Sequence, residues 1–206
     1  MDREQLKTEF ENLKDSFDTI KESVESMMVE TKYSKGHYFE TTPFSYQRSE
    51  SFQGKLLDNI NKIKTTKDLY IYNFDNKGRI VEIKTGTGIE DQFYYEFLLY
   101  ERGYVKSVLF DNQRTIRSVS FHIYDEQGRF CRLLLHGRRG GREEIYVYSE
   151  DGILDYVSVI QIDKNGNNVT PYVEKFEYAE NGILKRISKN FDNGYSRQTF
   201  LQKNDF

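Results

Sequence analysis

Few residues of this 206-residue chain could carry chemistry, and most of them lie near its middle. The histidines are His37, His122 and His136, and the one cysteine is Cys131. The histidines show no metal-ligand spacing, and a lone cysteine excludes an intramolecular disulfide or a cysteine-based metal site. If residues 125–128 form a four-residue loop between two strands, His122 faces Cys131, as a base faces its nucleophile. Because no orienting acid or oxyanion-binding group accompanies them, we interpret the two as half-buried neighbours within strands.

The arginines form a more informative pattern. Seven of the thirteen lie in the stretch from Arg114 to Arg142, which contains no lysine. Arginine is preferred where planar, bidentate contacts to carboxylate or phosphate matter. The same strand register places Arg117 beside His136, next to a predicted loop over residues 137–142.

We therefore predict a partner-binding site, whose members are Arg117, His136, Arg138, Arg139 and Arg142. Its target is an acidic protein surface, a nucleic-acid backbone, or the chain's own N-terminal segment. Residues 1–30 contain nine acids and four bases, a net charge of −5, so the remainder of a chain at −3 carries +2. The overall acidity argues against nucleic acid as the target.

Other groupings give no catalytic signal. The carboxylate pairs Glu143–Glu144 and Glu150–Asp151 lie in or beside predicted turns, where solvated acids are ordinary. Residues 85–88 (Thr-Gly-Thr-Gly) lack the following helix and the Lys-Ser/Thr of a phosphate-binding loop. We predict that the chain is not an enzyme and that it uses no metal and no cofactor.

The composition predicts a folded, β-rich chain. Aromatic residues make up 15% of it, with 16 tyrosines and 15 phenylalanines, whereas disordered chains are poor in them. Two prolines in the whole chain suit long paired strands. No apolar run approaches the ~18 residues of a transmembrane span, and the acidic N-terminal segment is unlike a signal peptide. We expect a cytoplasmic protein that does not bind membranes.

The N-terminal segment has the pattern of one long amphipathic helix. Asp2 and Gln5 form a predicted capping box. The apolar residues that follow step by four and three, which is a heptad seam: Leu6, Phe10, Leu13, Phe17, Ile20, Val24 and Met27. We predict a helix over residues 1–30. Its seam either covers one face of a sheet or forms a homodimer contact, and two bulky Phe in the seam favour the sheet.

Residues 31–66 give a weaker signal and form a predicted connecting segment. Residues 38–46 are compatible with a strand in which Pro43 marks an edge or a bend. Residues 56–63 have helical spacing and predict a short second helix.

From residue 67 onward a hairpin phrase repeats: an aromatic strand, a polar turn that ends in Gly, and an apolar strand. The repeat glycines lie about 25 residues apart, a period typical of repeat architectures, at Gly78, Gly103, Gly128, Gly152 and Gly182. The turn's last position needs a positive φ, which explains the glycine. Short turns at the opposite edge join the copies, so we predict ten or eleven strands of an antiparallel meander.

The turn phrase resembles the YD repeat of the Rhs family, whose motif is Tyr-Asp, two variable residues, Gly-Arg and an apolar residue. Residues 124–130 match the motif throughout, and residues 74–80 match it with Phe for Tyr. The other copies lack the Asp, the Arg or both. In that family the repeats are structural and build a β-shell around a cargo. The resemblance therefore implies a hairpin array without catalytic residues, and a bacterial setting of polymorphic toxins and their small cytoplasmic immunity proteins.

These observations predict a single α+β domain over residues 1–206. A long N-terminal helix (1–30) packs on a curved antiparallel β-meander of about 10–12 strands (67–206), the number expected when one sheet must curl. The function predicted first is a non-enzymatic protein-binding module, of which an immunity or antitoxin-like protein that occludes a toxin is the specific case. The alternative is a curled sheet that carries a small apolar ligand, as a lipocalin does.

Overall fold

The computed structural model describes residues 2–58 and 65–201, and its main feature is one antiparallel sheet of thirteen strands. The strands are β1 (Glu30–Lys35), β2 (Lys55–Leu56), β3 (Leu69–Phe74), β4 (Ile80–Gly86), β5 (Phe93–Glu101), β6 (Tyr104–Phe110), β7 (Ile116–Tyr124), β8 (Phe130–Gly137), β9 (Gly140–Tyr148), β10 (Leu154–Ile162), β11 (Tyr172–Tyr178), β12 (Leu184–Phe191) and β13 (Ser196–Leu201). From β3 to β13 every strand pairs with its neighbour in sequence, and β1 lies between β3 and β2. The predicted meander is confirmed.

One turn geometry closes most of the hairpins. In the turn at residues 125–129, the Asp125 N–H donates to the carbonyl of Arg129 and the Gly128 N–H donates to the carbonyl of Asp125. Gly128 has φ 78°, so the predicted need for a positive φ at this position is confirmed. Seven turns of the described chain share both bonds: residues 75–79, 111–115, 125–129, 149–153, 163–167, 179–183 and 191–195.

The turns are accompanied by β-bulges that the predicted register lacks. Tyr124 pairs with Phe130 and Ile123 with Arg132, so Cys131 is an extra residue in its strand. His122 consequently pairs with Leu133 rather than facing Cys131. His136 pairs with Val119 and not with Arg117. The predicted register between β7 and β8 was wrong by two residues, because the turn spans residues 125–129 rather than 125–128 and the bulge adds one more residue to β8.

The predicted α+β class with one long N-terminal helix is wrong. The fold is mainly β, and the described chain has three short helices: α1 (Arg3–Asn12), α2 (Phe17–Glu25) and α3 (Ser45–Arg48). The break between α1 and α2 is closed by Ser16, whose Oγ donates to the Leu13 carbonyl at 2.7 Å. A straight helix of 28 residues would be about 42 Å long, and a strongly curled sheet offers no flat strip of that length. None of these helices is long and apolar enough to cross a membrane.

Most of the predicted helix seam is nevertheless buried against one face of the sheet, although Leu13 is half-buried and Met27 is exposed. The Phe10 ring lies edge-on to the His136 ring at 5.3 Å, and the Phe17 ring contacts the Phe110 ring at 5.2 Å. Arg3 anchors the start of α1 through a 2.7 Å contact to Glu143 of β9. We call this side the helix face. A homodimer contact through the same seam would require the helices to leave the sheet.

The opposite face of the sheet is covered by an inner loop, residues 36–54. The predicted strand over 38–46 does not form, and α3 lies in the loop instead. The base of the loop is closed by the Gly54 N–H, which donates to the His37 carbonyl at 2.6 Å. Gly54 must be glycine because a Cβ there would lie 2.3 Å from the Gly36 carbonyl oxygen. The predicted helix at 56–63 falls largely outside the described residues, and its first residue ends β2.

Contacts of the inner loop show how strongly the sheet curls. Phe39 packs on Tyr72 of β3 at 5.0 Å, and Phe44 packs on Phe176 of β11 at 5.4 Å. Those two strands lie eight steps apart in the sheet order. Eight strand spacings across a flat sheet cover ~38 Å, whereas residues 39–44 span at most roughly 18 Å when extended. The face that holds the inner loop is therefore concave, and the helix face is convex.

We predict that the Asp75 turn contributes more to stability than its exposed neighbours do. Asp75 is buried and accepts the backbone N–H groups of Lys77 and Arg79, each at 2.9 Å, and the Arg79 guanidinium at 2.6 Å. Asp75→Ala leaves these donors unpaired and should lower the free energy of unfolding by about 1–3 kcal/mol. Urea denaturation measures it. The matched control is Asn76→Ala in the same turn, and equal losses in the two variants would contradict the prediction.

Candidate functional site

The β8–β9 hairpin carries the two most accessible of the predicted binding residues. Gly137 pairs with Gly140, so the turn contains only Arg138 and Arg139 and is shorter than the predicted 137–142 loop. A side chain at Gly140 would meet the Ile162 carbonyl oxygen at 2.0 Å, which explains the glycine there. Both arginines of the turn are exposed, and neither forms an ion pair within the described residues.

Arg117 lies next to this turn on β7. It is the extra residue of the bulge between β6 and β7, and its carbonyl accepts the Arg138 N–H at 3.2 Å. Its guanidinium lies 4.0 Å from Asp111, a loose contact. Together with Arg138 and Arg139 it rims a shallow hollow of about 370 Å³. The apolar part of the lining comes from Leu109 and Leu135.

We call this feature the arginine hollow: Arg117, Arg138 and Arg139 around Leu109 and Leu135. It lies at the end of the sheet opposite to the repeat glycines.

The other two predicted binding residues point to different faces. His136 lies on the helix face against Phe10, where burial lowers its pKa and the nearby Lys7 lowers it further. Arg142 lies on the concave side, 2.5 Å from Glu144. The structure thus places three of the five predicted residues around the hollow. Arg142 lies beside it, paired across the strands with Leu135, whereas His136 lies on the opposite face.

The sequence also allowed the arginines to bind the chain's own acidic N-terminal segment. In the structure an arginine outside the hollow, Arg114, makes such a contact. Arg114 lies 3.1 Å from Asp18 of α2, and its guanidinium lies over the Phe17 ring at 5.2 Å. Lys106 makes a similar 3.0 Å contact to Glu9 of α1. Within the described residues, no arginine of the hollow pairs with a helix.

A buried ion network on the concave face was missed in the sequence. Arg48 of α3 donates to Tyr146 Oη at 2.6 Å and to Glu144 at 2.7 Å, and it also pairs with Glu174. All four side chains are buried. Burial alone would lower the pKa of Arg48, but the charges of its partners raise it above the ordinary value. One signal in the sequence could have revealed the network. Glu174 occupies an inward-facing position between Tyr172 and Phe176, where the alternation of buried and exposed residues along β11 predicts an apolar residue.

A row of polar side chains crosses the concave face beside this network. Glu96 accepts from the Ser107 hydroxyl at 2.6 Å, and Ser107 pairs with Ser120 across β6 and β7. Ser120 Oγ lies 3.1 Å from His122 Nε2. Burial lowers the pKa of His122 to about 4, so the imidazole is neutral at pH 7. A serine–histidine pair is the start of a hydrolase site, but here Ser120 is 6% exposed, which leaves a substrate no direct approach.

The described residues contain no group of three or more His, Cys, Asp or Glu side chains arranged to hold a metal ion.

The fold and the arginine hollow together define a class of protein: a curled antiparallel β-meander with an arginine-rimmed surface hollow.

Comparison with known proteins adds little to that class. No protein-family model matches the chain, and no curated protein matches it. A solved structure of the Photorhabdus luminescens Tc holotoxin pore is 12% identical to it, with a TM-score of 0.21. The match covers 69% of this chain and 10% of that one. A TM-score this low carries no argument about fold or function, and the resemblance to YD repeats continues to depend on the turn phrase.

We predict that Arg48→Met strongly destabilises the fold. The substitution leaves the carboxylates of Glu144 and Glu174 buried without their main cation, which should lower the free energy of unfolding by about 3–5 kcal/mol. Adding Glu144→Gln and Glu174→Gln to the same chain removes the stranded charges and should restore much of the loss. Urea denaturation of the three proteins measures both effects. A loss below about 1 kcal/mol in the single variant would show that the network does not hold the fold.

A second prediction concerns pH. The pKa of His122 is lowered in the folded state, so between pH 6.5 and about 4 the unfolded chain binds a proton that the folded chain does not. Stability should therefore fall as the pH is lowered through this window, by about 2–3 kcal/mol at pH 4.5. His122→Gln should abolish that part of the pH dependence, whereas His136→Gln on the helix face should remove less. Denaturation curves at pH 7 and 4.5 test it, and identical pH profiles for wild type and His122→Gln would refute it.

Proposed function

We propose that this protein is a non-enzymatic binding protein that recognises an acidic protein surface through the arginine hollow. The observation that carries the proposal is the exposed pair Arg138–Arg139, which has no ion-pair partner among the described residues. Nearly every other arginine of the described chain is paired with a carboxylate, as Arg132 is with Glu143 at 2.7 Å. Guanidinium groups that form no ion pair within the described residues can contact the carboxylates of a partner.

The chemistry of the hollow is that of a protein interface. Arginine and apolar residues are enriched where proteins bind one another, and binding energy concentrates where a side chain fills a pocket that excludes water. Leu109 and Leu135 offer such a floor, and three guanidinium groups surround it. The matching partner presents an apolar side chain flanked by Asp or Glu, each able to accept two hydrogen bonds from one arginine.

The specific function that we propose is that of an immunity or antitoxin-like protein of a bacterial cytoplasm, with a toxin as its acidic partner. Support comes from the YD-like turn phrase, which associates the chain with the setting of polymorphic toxins. An acidic groove on an enzyme is a suitable target, because a rigid hairpin tip that enters it excludes the substrate.

Other binding functions have less support. The concave interior is occupied by the inner loop, whose Phe39, Phe44 and Arg48 pack against the sheet, so a lipocalin-like enclosure is largely filled. Nucleic acid would require stacking aromatic residues beside the cations. The lining of the arginine hollow contains none.

The experiment is quantitative recovery of the partner from the native cell. Arg117→Glu, Arg138→Glu and Arg139→Glu in one chain should reduce recovery by about tenfold or more, because like charges then face each other. The matched control is Arg102→Glu, an exposed arginine in the two-residue β5–β6 turn at the other end of the sheet.

Recovery by the wild-type chain should also fall as salt is raised, since exposed charges are screened. Unchanged recovery by the triple variant, or equal loss in the Arg102 control, would refute the proposal. Reversing the partner's acidic residues to Lys should restore binding to the triple variant and to no other protein in the set.

A further inference from the structure

A second cavity opens on the concave face, at the end of the sheet that carries the repeat glycines. It has a volume of about 470 Å³ and lies between the inner loop and strands β1 and β3–β7. Pockets of this size are typical of small-molecule sites. Four aromatic rings line it: Phe39 from the inner loop, Phe74 from β3, Tyr100 from β5 and Tyr124 from β7. We call it the aromatic cleft.

The two cations at the rim of the aromatic cleft are already paired, whereas Glu40, which also lines it, forms no ion pair within the described residues. Arg79 is held by Asp75 at 2.6 Å and lies over the Tyr100 ring at 4.2 Å. Lys32 lies 3.3 Å from Glu30 and 5.0 Å from the centre of the Phe74 ring. An anionic ligand would therefore have to compete with an existing partner for either cation, and it would also meet the Glu40 carboxylate. The rim therefore disfavours an anion.

One imidazole lies among the aromatic rings of the cleft. His122 lines the cleft and is only 4% exposed. Its Nε2 is 3.1 Å from Ser120, while its Nδ1 has no hydrogen-bond partner in the described part of the chain. A ligand that reaches Nδ1 with a polar group would form a hydrogen bond there.

We propose that the aromatic cleft binds a small, uncharged, planar aromatic molecule that carries one hydroxyl or N–H group, with that group hydrogen-bonded to His122 Nδ1. The rings of Phe39, Phe74 and Tyr100 supply edge and face contacts to a flat ligand. The neighbouring Leu98 and Val105 form the apolar floor beneath it. Neutral imidazole suits an uncharged ligand, since no ion pair is needed to hold it.

This site is separate from the arginine hollow. The cleft lies at the turn that contains Gly78 and Arg79, whereas the hollow lies at the opposite end, around Arg138 and Arg139. The site also differs from a lipocalin-like interior, because the inner loop forms one wall of the cleft rather than being displaced by the ligand. The two proposals can therefore fail independently.

The test is titration of the full chain with 2-naphthol at neutral pH. The chain contains no tryptophan, so naphthol fluorescence can be followed without an indole background. We expect saturable binding of one molecule. Naphthalene lacks the hydroxyl and should bind about fivefold more weakly, which is the contribution of one hydrogen bond. Naphthalene-2-carboxylate and 2-naphthylmethylammonium, the charged analogues, should bind more weakly than 2-naphthol.

Two variants place the ligand in the cleft. Thr41→Trp fills the mouth from the half-buried inner loop and should weaken 2-naphthol binding by about tenfold, because a bulky ring occupies the ligand volume. His122→Phe keeps the ring and removes the nitrogen, so it should remove the preference for 2-naphthol over naphthalene. The matched control is Glu126→Trp, an exposed turn residue at the same end that does not line the cleft.

Failure of 2-naphthol to bind the wild-type chain saturably would overturn the proposal, as would full binding by Thr41→Trp. If His122→Phe does not fold, the comparison of Thr41→Trp with Glu126→Trp still decides the location of the site. The triple glutamate variant of the arginine hollow should bind 2-naphthol as the wild type does. That result separates a failure of this proposal from a failure of the proposed protein-binding function.

Discussion

The ion network of Arg48 with Glu144 and Glu174 is the interaction on which the shape of this protein depends. Each strand of the sheet is held by its neighbours, and the twist and bulges of that pairing bend the sheet locally. Arg48 joins the inner loop, whose base lies at the β1–β2 edge, to β9 and β11 on the far side. Because charges buried without partners are strongly unfavourable, the loop is held in one position and the curl is fixed with it. Both candidate sites depend on that curl.

The strands could be read from the sequence because their determinants are local. The turns are specified by their own residues, such as Asp125 and Gly128, and six of the seven turns have glycine at the position of Gly128. The aromatic alternation beside the turns identifies the strands. The break between α1 and α2 could not be read, because the heptad seam continues through it without interruption. The contact at this break is local: the Ser16 hydroxyl donates to the Leu13 carbonyl, which the apolar pattern does not encode. The position of the inner loop is set by contacts to strands about a hundred residues further along the chain.

The candidate sites likewise divide into features that local sequence predicts and features that depend on contacts between distant residues. A cluster of arginines without lysine pointed to the β8–β9 hairpin, and Arg138 and Arg139 are indeed exposed there. His136 pairs with Val119 rather than Arg117 and lies on the helix face, because the five-residue turn at 125–129 and the bulge at Cys131 together shift the strand register by two residues. The aromatic cleft left no trace in the sequence. Its members come from the inner loop and from several strands, and the sequence pattern relates His122 only to Cys131.

The inner loop also sets a limit on how this chain can change in length. A hairpin array that grows by copying one unit can in principle take any number of units, since each turn resembles the next. Here a copy inserted between β3 and β9 would move Glu144 away from Arg48 by two strand spacings, or about 10 Å, farther than its side chain can follow. Copies added beyond β11 would leave the network in place. The inner loop thus acts as a molecular ruler, and variation in repeat number among homologous chains should be confined to the C-terminal edge of the sheet.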